Sequence, residues 1–305
     1  MTAHQTHGWP QGNPVGRTAY VNGRYVPHAQ AGVHIEDRGL QFGDAIYEVV
    51  GVASGHFLDE EEHLDRLERS VREIGMAMPM DRNALKLVVR EMARRNGVRD
   101  GLIYLQVTRG AVRRDHAVPR NALRPTLIVT ARRLDPLGIK DRQANGVGVH
   151  TRPDERWARR DVKSTNLLPN ILAKTAARDA GAYEAWLVDD EGYVTEGAST
   201  SAWIVDADGK IVTRDLSNAI LPGVTRRVIL EAAAQGQLAI AERKFTLKEA
   251  LAAREAFMTA ATLGATPIVA IDGRPVGDGK PGPVTRRVQE LYRLAAEARG
   301  AAERP

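Results

Sequence analysis

The stretch Asp161-Val162-Lys163-Ser164-Thr165-Asn166-Leu167-Leu168 puts a lone lysine between an apolar residue and small polar residues, just before a predicted helix. Partial removal of water lowers the pKa of a lysine amine, which makes Lys163 a candidate for imine formation and proton transfer. A surface lysine beside a helix cap would give the same local pattern. Whether Lys163 is a reactive or a surface lysine must therefore be judged from the sequence on either side of it.

The half of the chain before this stretch has the patterns of both strands and helices. Asn22 and Gly23 favour a tight turn between short strands at 19–21 and 25–26. Apolar residues at helical spacing then predict two helices, the first of them capped by Asp59. The apolar stripe of the first helix is Leu64, Leu67, Val71 and Ile74, and that of the second is Leu85, Val88, Val89 and Met92. With strands at 102–108 and 126–130, the first half is predicted to be α/β.

The half after the stretch alternates strands, hairpin turns and helices. The predicted strands are 183–188, 193–194 and 202–205, and the predicted helices are 170–180, 225–234 and 284–298. A polar segment with Pro136 and Gly138 is the predicted link between two domains. The predicted organisation is a flexible arm (1–17), a small α/β domain (18–135), a linker (136–146) and a second, larger domain (147–305).

Composition excludes several classes of protein. The chain has 305 residues, 43% of them hydrophobic, and no cysteine, so it holds a substantial core but no disulfide or thiolate metal site. The 43 Lys and Arg and 38 Asp and Glu are spread along the chain, which argues against nucleic acid. Residues 1–15 lack the order of a secretory signal, and no apolar run reaches the roughly 20 residues of a membrane span. A cytoplasmic protein that binds no membrane is expected.

The sequence lacks the common signatures of metal, dinucleotide and serine-hydrolase sites. It contains no HExxH or other metal spacing and no GxSxG motif, and Gly146 and Gly148 do not open a dinucleotide fingerprint. No metal site is therefore predicted.

Three further groups of residues suit an anionic ligand or a ring nitrogen. Glu196 ends a predicted strand before small residues, as a partner of a protonated ring nitrogen would, although Glu before Gly is common in exposed turns. Pro222 and Gly223 open a helix whose first N–H groups suit either a phosphate or ordinary capping. Arg114 and His116 suit a carboxylate, and equally a solvated basic loop. Each signal alone is weak.

Taken in order, these pieces resemble the fold-type IV enzymes that use pyridoxal 5'-phosphate (PLP), most closely the bacterial D-amino-acid transaminases. The likeness runs from about Tyr20 to Tyr292. The motifs that carry it are EDRGLQFGDAIYE (36–48), DVKSTNLL (161–168), VTEG (194–197), LPGVTR (221–226) and IDGRPVGDG (271–279). The resemblance implies a two-domain α/β (α+β) fold, with a small N-terminal α/β domain and a larger C-terminal pseudo-barrel domain that binds PLP.

The resemblance also implies roles for residues around the cofactor. Lys163 is implied as the Schiff-base lysine and proton shuttle, and Glu196 as the carboxylate at the pyridine nitrogen. Arg66, in the motif HLDRL, is implied as a phosphate ligand. The other implied cofactor contacts are Ser199, Thr262 and the backbone N–H groups of Val224 and Thr225.

For the substrate, Tyr47, Arg114 and His116 match the carboxylate trap of the D-amino-acid enzymes, in which the Arg and His come from the partner subunit of a homodimer. The implied reaction is ping-pong transamination between a D-amino acid, of the D-alanine or D-glutamate type, and a 2-oxo acid. An L-branched-chain transaminase, an aminodeoxychorismate lyase and a non-catalytic basic binding protein are the alternatives.

The sequence departs from the family pattern at two places near the ligand sites. The second phosphate strand of the family carries adjacent hydroxyl groups, whereas Ala260 and Ala261 separate Thr259 from Thr262 here. Gly51 stands where close relatives have a long basic residue. A change in the substrate pocket is therefore expected.

Overall fold

The hairpin predicted around Asn22 and Gly23 is the first element of the computed structural model, which describes residues 16–119 and 123–302. Asn22 and Gly23 have φ angles of 45° and 90°, the positive values that a tight two-residue turn requires. The hairpin prediction is confirmed. Of the predicted arm, residues 1–15 lie outside the described residues.

The first sheet is built from the N-terminal part of the chain. Its strands are β1 (Thr18–Val21), β2 (Arg24–Pro27), β3 (Ala45–Ala53), β4 (His56–Leu58), β5 (Gly101–Thr108) and β6 (Thr126–Arg133). All neighbours pair antiparallel, in the order β2-β1-β6-β5-β3-β4. The two strands predicted at 102–108 and 126–130 are confirmed, and β6 runs three residues further.

Helices pack on this sheet with the apolar stripes predicted from the sequence. After the short α1 (Arg38–Phe42), α2 (Glu60–Glu73) and α3 (Arg82–Asn96) bury their stripes in one hydrophobic cluster. Ile74 follows the end of α2 and is only partly buried. Asp59 is the N-cap residue of α2, as predicted, but it has a φ of 51° and makes no side-chain cap bond. It accepts a hydrogen bond from Arg299 at 2.7 Å instead.

The second sheet is larger and mixed. Its strands are β7 (Val147–Pro153), β8 (Glu184–Val188), β9 (Val194–Gly197), β10 (Ser201–Val205), β11 (Ile211–Thr213), β12 (Ile240–Glu242), β13 (Glu255–Ala260), β14 (Gly264–Ile271) and β15 (Arg274–Pro275). They follow the order β12-β11-β10-β13-β14-β7-β8-β9, with β15 on β14. β7 is parallel to both of its neighbours, and most other pairs are antiparallel. Two sheets with helices give the expected α/β (α+β) fold class.

The helices of this half are α4 (Pro136–Asn145), α5 (Leu168–Asp179), α6 (Val224–Gln235), α7 (Leu247–Leu251) and α8 (Pro283–Ala302). The predictions for α5, α6 and α8 are right to within a few residues. Where a polar linker was expected, α4 forms because Asp135 accepts hydrogen bonds from the N–H groups of Leu137 and Gly138. No helix among the described residues is long and apolar enough to cross a bilayer.

Candidate active site

Lys163 lies where the two sheets meet. The N–H of Tyr47 donates to the Lys163 carbonyl at 3.0 Å, and Ile46 and Ser164 form an isolated antiparallel bridge. Residues paired across two antiparallel strands project their side chains to the same side. The side chains of Tyr47 and Lys163 therefore meet, with 3.4 Å between the Lys163 Nζ and the Tyr47 Oη.

A cleft of 390 Å³ surrounds this lysine and is lined by residues of both sheets. It brings together every residue predicted to contact the cofactor and one of the three predicted to bind substrate. These residues are Arg66, Lys163, Glu196, Ser199, Val224, Thr225, Thr262 and Tyr47.

Glu196 is buried at the end of β9 and is held from two sides. Arg156 Nη1 donates to its Oε1 at 2.5 Å, and the Leu221 N–H donates to both oxygens at 3.1 and 3.2 Å. Asp154 fixes Arg156 in turn through two hydrogen bonds. Burial raises the pKa of Glu196, while Arg156 and the Leu221 N–H oppose that rise. The carboxylate is oriented and keeps free acceptor positions for a cationic N–H in the cleft.

Arg66 on α2 is also held by buried partners. Its Nε and Nη2 donate to the two oxygens of Glu48 at 2.9 and 2.7 Å, and His63 Nδ1 lies 3.0 Å from Glu48 Oε1. Burial alone would raise the pKa of Glu48, but Arg66 and His63 hold it well below its ordinary value. Arg66 Nη1 donates to the Pro222 carbonyl at 3.1 Å. The guanidinium is thereby fixed beside the start of α6.

The N-terminus of α6 completes a cradle for an anion. Gly223 is its N-cap, and a Cβ there would lie 2.9 Å from the Ser201 Oγ. Among the described residues, the N–H groups of Val224 and Thr225 have no backbone partner, and both residues line the cleft. Free N–H groups, the helix dipole and Arg66 together favour a phosphate at this end of the cleft.

Hydroxyl groups line the rest of this part of the cleft, and they differ in the hydrogen bonds that they make within the chain. Thr200 Oγ1 is buried and has no hydrogen-bond partner among the residues that the structure describes. Thr262 lies in the turn between β13 and β14. Ser199 donates to Glu184 Oε2 at 2.5 Å and accepts from Lys174 Nζ at 2.8 Å. The role predicted for Ser199 would therefore be shared with a structural one.

The other two predicted substrate residues are placed differently. Arg114 and His116 are exposed on the connection between β5 and β6 and do not line the cleft of their own chain. Both lie against Phe42, with the Arg114 guanidinium carbon 4.9 Å and the His116 ring centroid 5.5 Å from the centroid of the Phe42 ring. Within one chain, only Tyr47 of the predicted trap reaches Lys163.

Sequence reasoning missed the residues that hold the predicted ones in place. Glu48 ends the motif EDRGLQFGDAIYE. His63 lies three residues before Arg66, a spacing that puts both on one face of α2. The spacing therefore indicates, from the sequence alone, that His63 lies beside Arg66. Arg156 lies in an irregular segment, 40 positions from the carboxylate it contacts, and no local pattern indicates it.

The arrangement of these groups suits a phosphorylated, ring-containing carbonyl compound that a lysine could hold. An amine, a carboxylate for a ring nitrogen and an anion cradle line one cleft, so the residues present fit PLP. The family model described as amino-transferase class IV matches residues 45–271, a span that includes all of these residues. The chain belongs to the class IV aminotransferases, and the protein is an aminotransferase.

Among curated proteins, the chain is similar to D-alanine aminotransferases over most of its length. It is 40% identical to that of Bacillus licheniformis over 268 residues, which are 88% of this chain and 93% of that protein. The identity to that of Listeria monocytogenes is 38% over 273 residues, covering 89% and 93%. That of Staphylococcus haemolyticus is 38% identical over 281 residues, covering 92% and 98%.

Solved structures of branched-chain amino acid aminotransferases share the fold. The Escherichia coli structure superposes with a TM-score of 0.85 at 24% identity, covering 92% of this chain and 95% of that one, and shows the fold alone. The T.th. structure with pyridoxamine 5'-phosphate has a TM-score of 0.82 at 28% identity, covering 93% and 95%. These likenesses confirm the fold-type IV class, and the family with its cofactor-bound neighbour implies a pyridoxal-type cofactor.

Proposed function

We propose that this aminotransferase moves the amino group of a D-amino acid of the D-alanine type onto a 2-oxo acid in a ping-pong cycle, with PLP as its cofactor. The observation that carries the proposal is the cleft in which Lys163, Glu196 and Arg66 stand together with Tyr47. The 40% identity to a D-alanine aminotransferase over 88% of the chain supports the same interpretation.

Three groups of this chain would hold the cofactor. Arg66 and the first N–H groups of α6 bind the phosphate, and Glu196 accepts a hydrogen bond from the ring nitrogen. When bound, PLP supplies a ring that takes up electrons from the substrate α-carbon. By keeping the ring nitrogen protonated, Glu196 strengthens that ability.

Lys163 has two tasks in the proposed reaction. Its Nζ would hold the cofactor, and the same amine would take up the proton that leaves the substrate α-carbon. The Tyr47 hydroxyl, 3.4 Å away, orients this amine. The Tyr104 ring stacks on Tyr47 at 5.7 Å, and burial raises the pKa of Tyr104 to about 12, so this neighbour stays neutral.

A homodimer would supply the remaining part of the substrate site. Arg114 and His116 are exposed and away from their own cleft, so they are free to enter the cleft of a second copy. The outer face of α5 beside the cleft exposes 65% of Leu168, 57% of Ile171 and 58% of Leu172, at the i, i+3, i+4 spacing of an apolar stripe. Such a stripe is typical of a covered surface.

The second candidate function is transamination of L-branched-chain amino acids. Its support is the structural likeness, with a TM-score of 0.82 at 28% identity. The D-alanine aminotransferases are more similar in sequence, at 38–40%. The D-amino-acid interpretation is therefore the better supported one.

The test is an activity assay of the PLP-loaded enzyme with 2-oxoglutarate and either D-alanine or L-leucine. We expect pyruvate from D-alanine and no turnover of L-leucine. Arg114→Ala should raise the KM for D-alanine, whereas Arg113→Ala, on the exposed neighbouring residue, should leave it unchanged. Turnover of L-leucine alone would replace the proposal with the second candidate.

A further inference from the structure

We infer that Arg38 is a positioning residue of the substrate carboxylate trap. It shapes the loop of residues 110–119, here called the trap loop, which carries Arg114 and His116. The inference rests on the proposed function, because Arg38 has this role only where the trap loop binds the substrate carboxylate. Arg38 itself contacts neither the cleft nor the substrate.

Arg38 is a buried side chain whose guanidinium binds the backbone of the trap loop. Only 4% of Arg38 is exposed. Its Nη1 donates to the carbonyl of Asp115 at 2.6 Å and to that of Ala117 at 3.5 Å, and its Nη2 donates to the carbonyl of His116 at 3.1 Å. One guanidinium therefore contacts three successive carbonyl groups in a segment whose side chains are exposed.

An ion pair fixes Arg38 from the other side. Its Nε donates to Asp44 Oδ2 at 2.8 Å, and Arg109 Nε donates to the same oxygen at 2.7 Å. Burial alone would raise the pKa of Asp44, but Arg109 and Arg38 hold it below its ordinary value. Asp44 is therefore a permanent anion at neutral pH and an anchor for Arg38.

The two side chains of the trap rest on a ring that Arg38 also contacts. The Arg38 guanidinium carbon lies 4.8 Å from the centroid of the Phe42 ring, and that of Arg114 lies 4.9 Å from it. The His116 ring is 5.5 Å from the same ring. The aromatic face attracts both cations and offsets part of their mutual repulsion. Phe42 thus orients the side chains while Arg38 orients their backbone.

The base of the trap loop is bound by the same segment. The N–H of Arg38 donates to the Gly110 carbonyl at 3.0 Å, and Asp37 forms an isolated bridge with Ala111. Residues 36–44 therefore act as a template for the whole loop. The template continues into β3, which carries Tyr47, so one piece of chain holds both halves of the proposed trap.

A loop held in its binding conformation binds more tightly than a mobile one, because no ordering cost remains at the moment of binding. Arg38→Lys tests this role, since a lysine keeps the charge near Asp44 but lacks the fork that reaches several carbonyls. We expect the KM for D-alanine to rise about tenfold and kcat to change by less than about threefold.

Arg109→Lys is the matched control. Arg109 binds the same oxygen of Asp44, but its other donors bind the carbonyls of Ile74 and Gly75 rather than the trap loop. This variant should lower the unfolding temperature and leave the KM for D-alanine within about twofold of wild type. An equal rise of the KM in both variants would overturn the inference, because it would show a general structural effect.

The decisive measurement is a mutant cycle on the PLP-loaded enzyme. If Arg38 acts through the trap, Arg38→Lys raises the KM no further once Arg114→Ala and His116→Ala are both present. Independent, multiplicative losses would overturn the inference, as would a normal KM in Arg38→Lys beside a raised one in Arg114→Ala. An unchanged KM in Arg114→Ala would instead show that the proposed trap is wrong.

Phe42→Leu provides the same test if Arg38→Lys does not fold. It removes the ring under Arg114 and His116 and leaves the hydrogen bonds of Arg38 in place. The template is supported if Phe42→Leu raises the KM in the wild-type enzyme but raises it no further when Arg114→Ala and His116→Ala are both present. A KM equal to that of wild type contradicts it.

Discussion

At the scale of single residues, the site is held by buried ion pairs rather than by surface contacts. Glu48 holds Arg66 at the proposed phosphate end, and Arg156 holds Glu196 at the proposed ring end. Removing one partner of such a pair leaves an uncompensated buried charge, which is far more costly than losing an exposed pair. The chemistry of the cleft therefore depends on residues that need not touch the cofactor.

Glu48→Gln should weaken both stability and PLP binding, because Glu48 is the one carboxylate that pairs with Arg66 among the described residues. We expect the free energy of unfolding at pH 7 to fall by about 3 kcal/mol. The folded-state pKa of Glu48 is lowered, so its contribution is present above the unfolded value of about 4.3 and is lost as the pH falls towards the folded value. Urea unfolding at pH 7 and at lower pH measures this.

Glu61→Gln is the control for this prediction. Glu61 is also on α2 and pairs with Lys86, but its side chain is 49% exposed. Its loss should change the free energy of unfolding by less than about 1 kcal/mol. The prediction is contradicted if the two variants are equally stable at pH 7, or if the deficit of Glu48→Gln grows on acidification.

Lys163, Glu196 and Arg66 could be predicted because each stands in a motif that resembles one of the family. Arg156, the partner of Glu196, stands in no such motif. Arg156 meets Glu196 only after the chain folds, and Asp154 lies behind it. Tertiary partners of this kind are not encoded in a local pattern, so sequence reasoning did not reach them.

At the scale of elements, prediction succeeded where burial produces a periodic pattern. The stripes of α2 and α3 were readable because both helices cover a core. α4 has no buried residue and α7 buries only Ala250, so neither gives an apolar stripe. The capping box of Thr246 and Glu249 was the one available signal for α7.

Gly223→Ala tests the cradle at the start of α6. The added Cβ would lie 2.9 Å from the Ser201 Oγ, which lines the cleft, so the backbone at the proposed phosphate site or the Ser201 side chain should shift. We expect the Kd for PLP, measured by titration of the apoenzyme, to rise about tenfold, with little change in stability, since Gly and Ala at an N-cap differ by about 1 kcal/mol or less.

Gly32→Ala serves as the comparison for this variant. A Cβ at Gly32 meets nothing within 4 Å. The affinity of this variant for PLP should equal that of the wild type. Equal affinity of Gly223→Ala and wild type would show that the start of α6 is not the phosphate site.

At the scale of the whole molecule, the cleft lies between two sheets but lacks part of its proposed trap. Only Tyr47 meets Lys163 within a chain, while Arg114 and His116 point elsewhere. Family resemblance predicts both the residues of the trap and their supply by the partner subunit, and the geometry of one chain agrees only in placing Arg114 and His116 away from their own cleft. If the proposed homodimer shares its sites between copies, activity is a property of the dimer.

Mixing two inactive variants tests this sharing. Lys163→Ala and Arg114→Ala homodimers should both turn over D-alanine poorly. After unfolding and refolding together in equal amounts, half of the dimers are mixed, and each has one complete site, so about a quarter of wild-type activity should return. No recovery, with mixed dimers verified by mass spectrometry, would contradict a trap supplied by the partner.

The proposed reaction and substrate site both depend on two proposals: Lys163 holds PLP, and the enzyme accepts D-amino acids. Both are tested by the absorbance spectrum of the purified, PLP-loaded protein during addition of D-alanine and, separately, of L-leucine. We expect the absorbance band of the lysine-bound cofactor, which lies near the edge of the visible range, to be lost with D-alanine and to persist with L-leucine. Loss with L-leucine alone would contradict the preference for D-amino acids, and the lack of such a band after addition of PLP would contradict the role of Lys163.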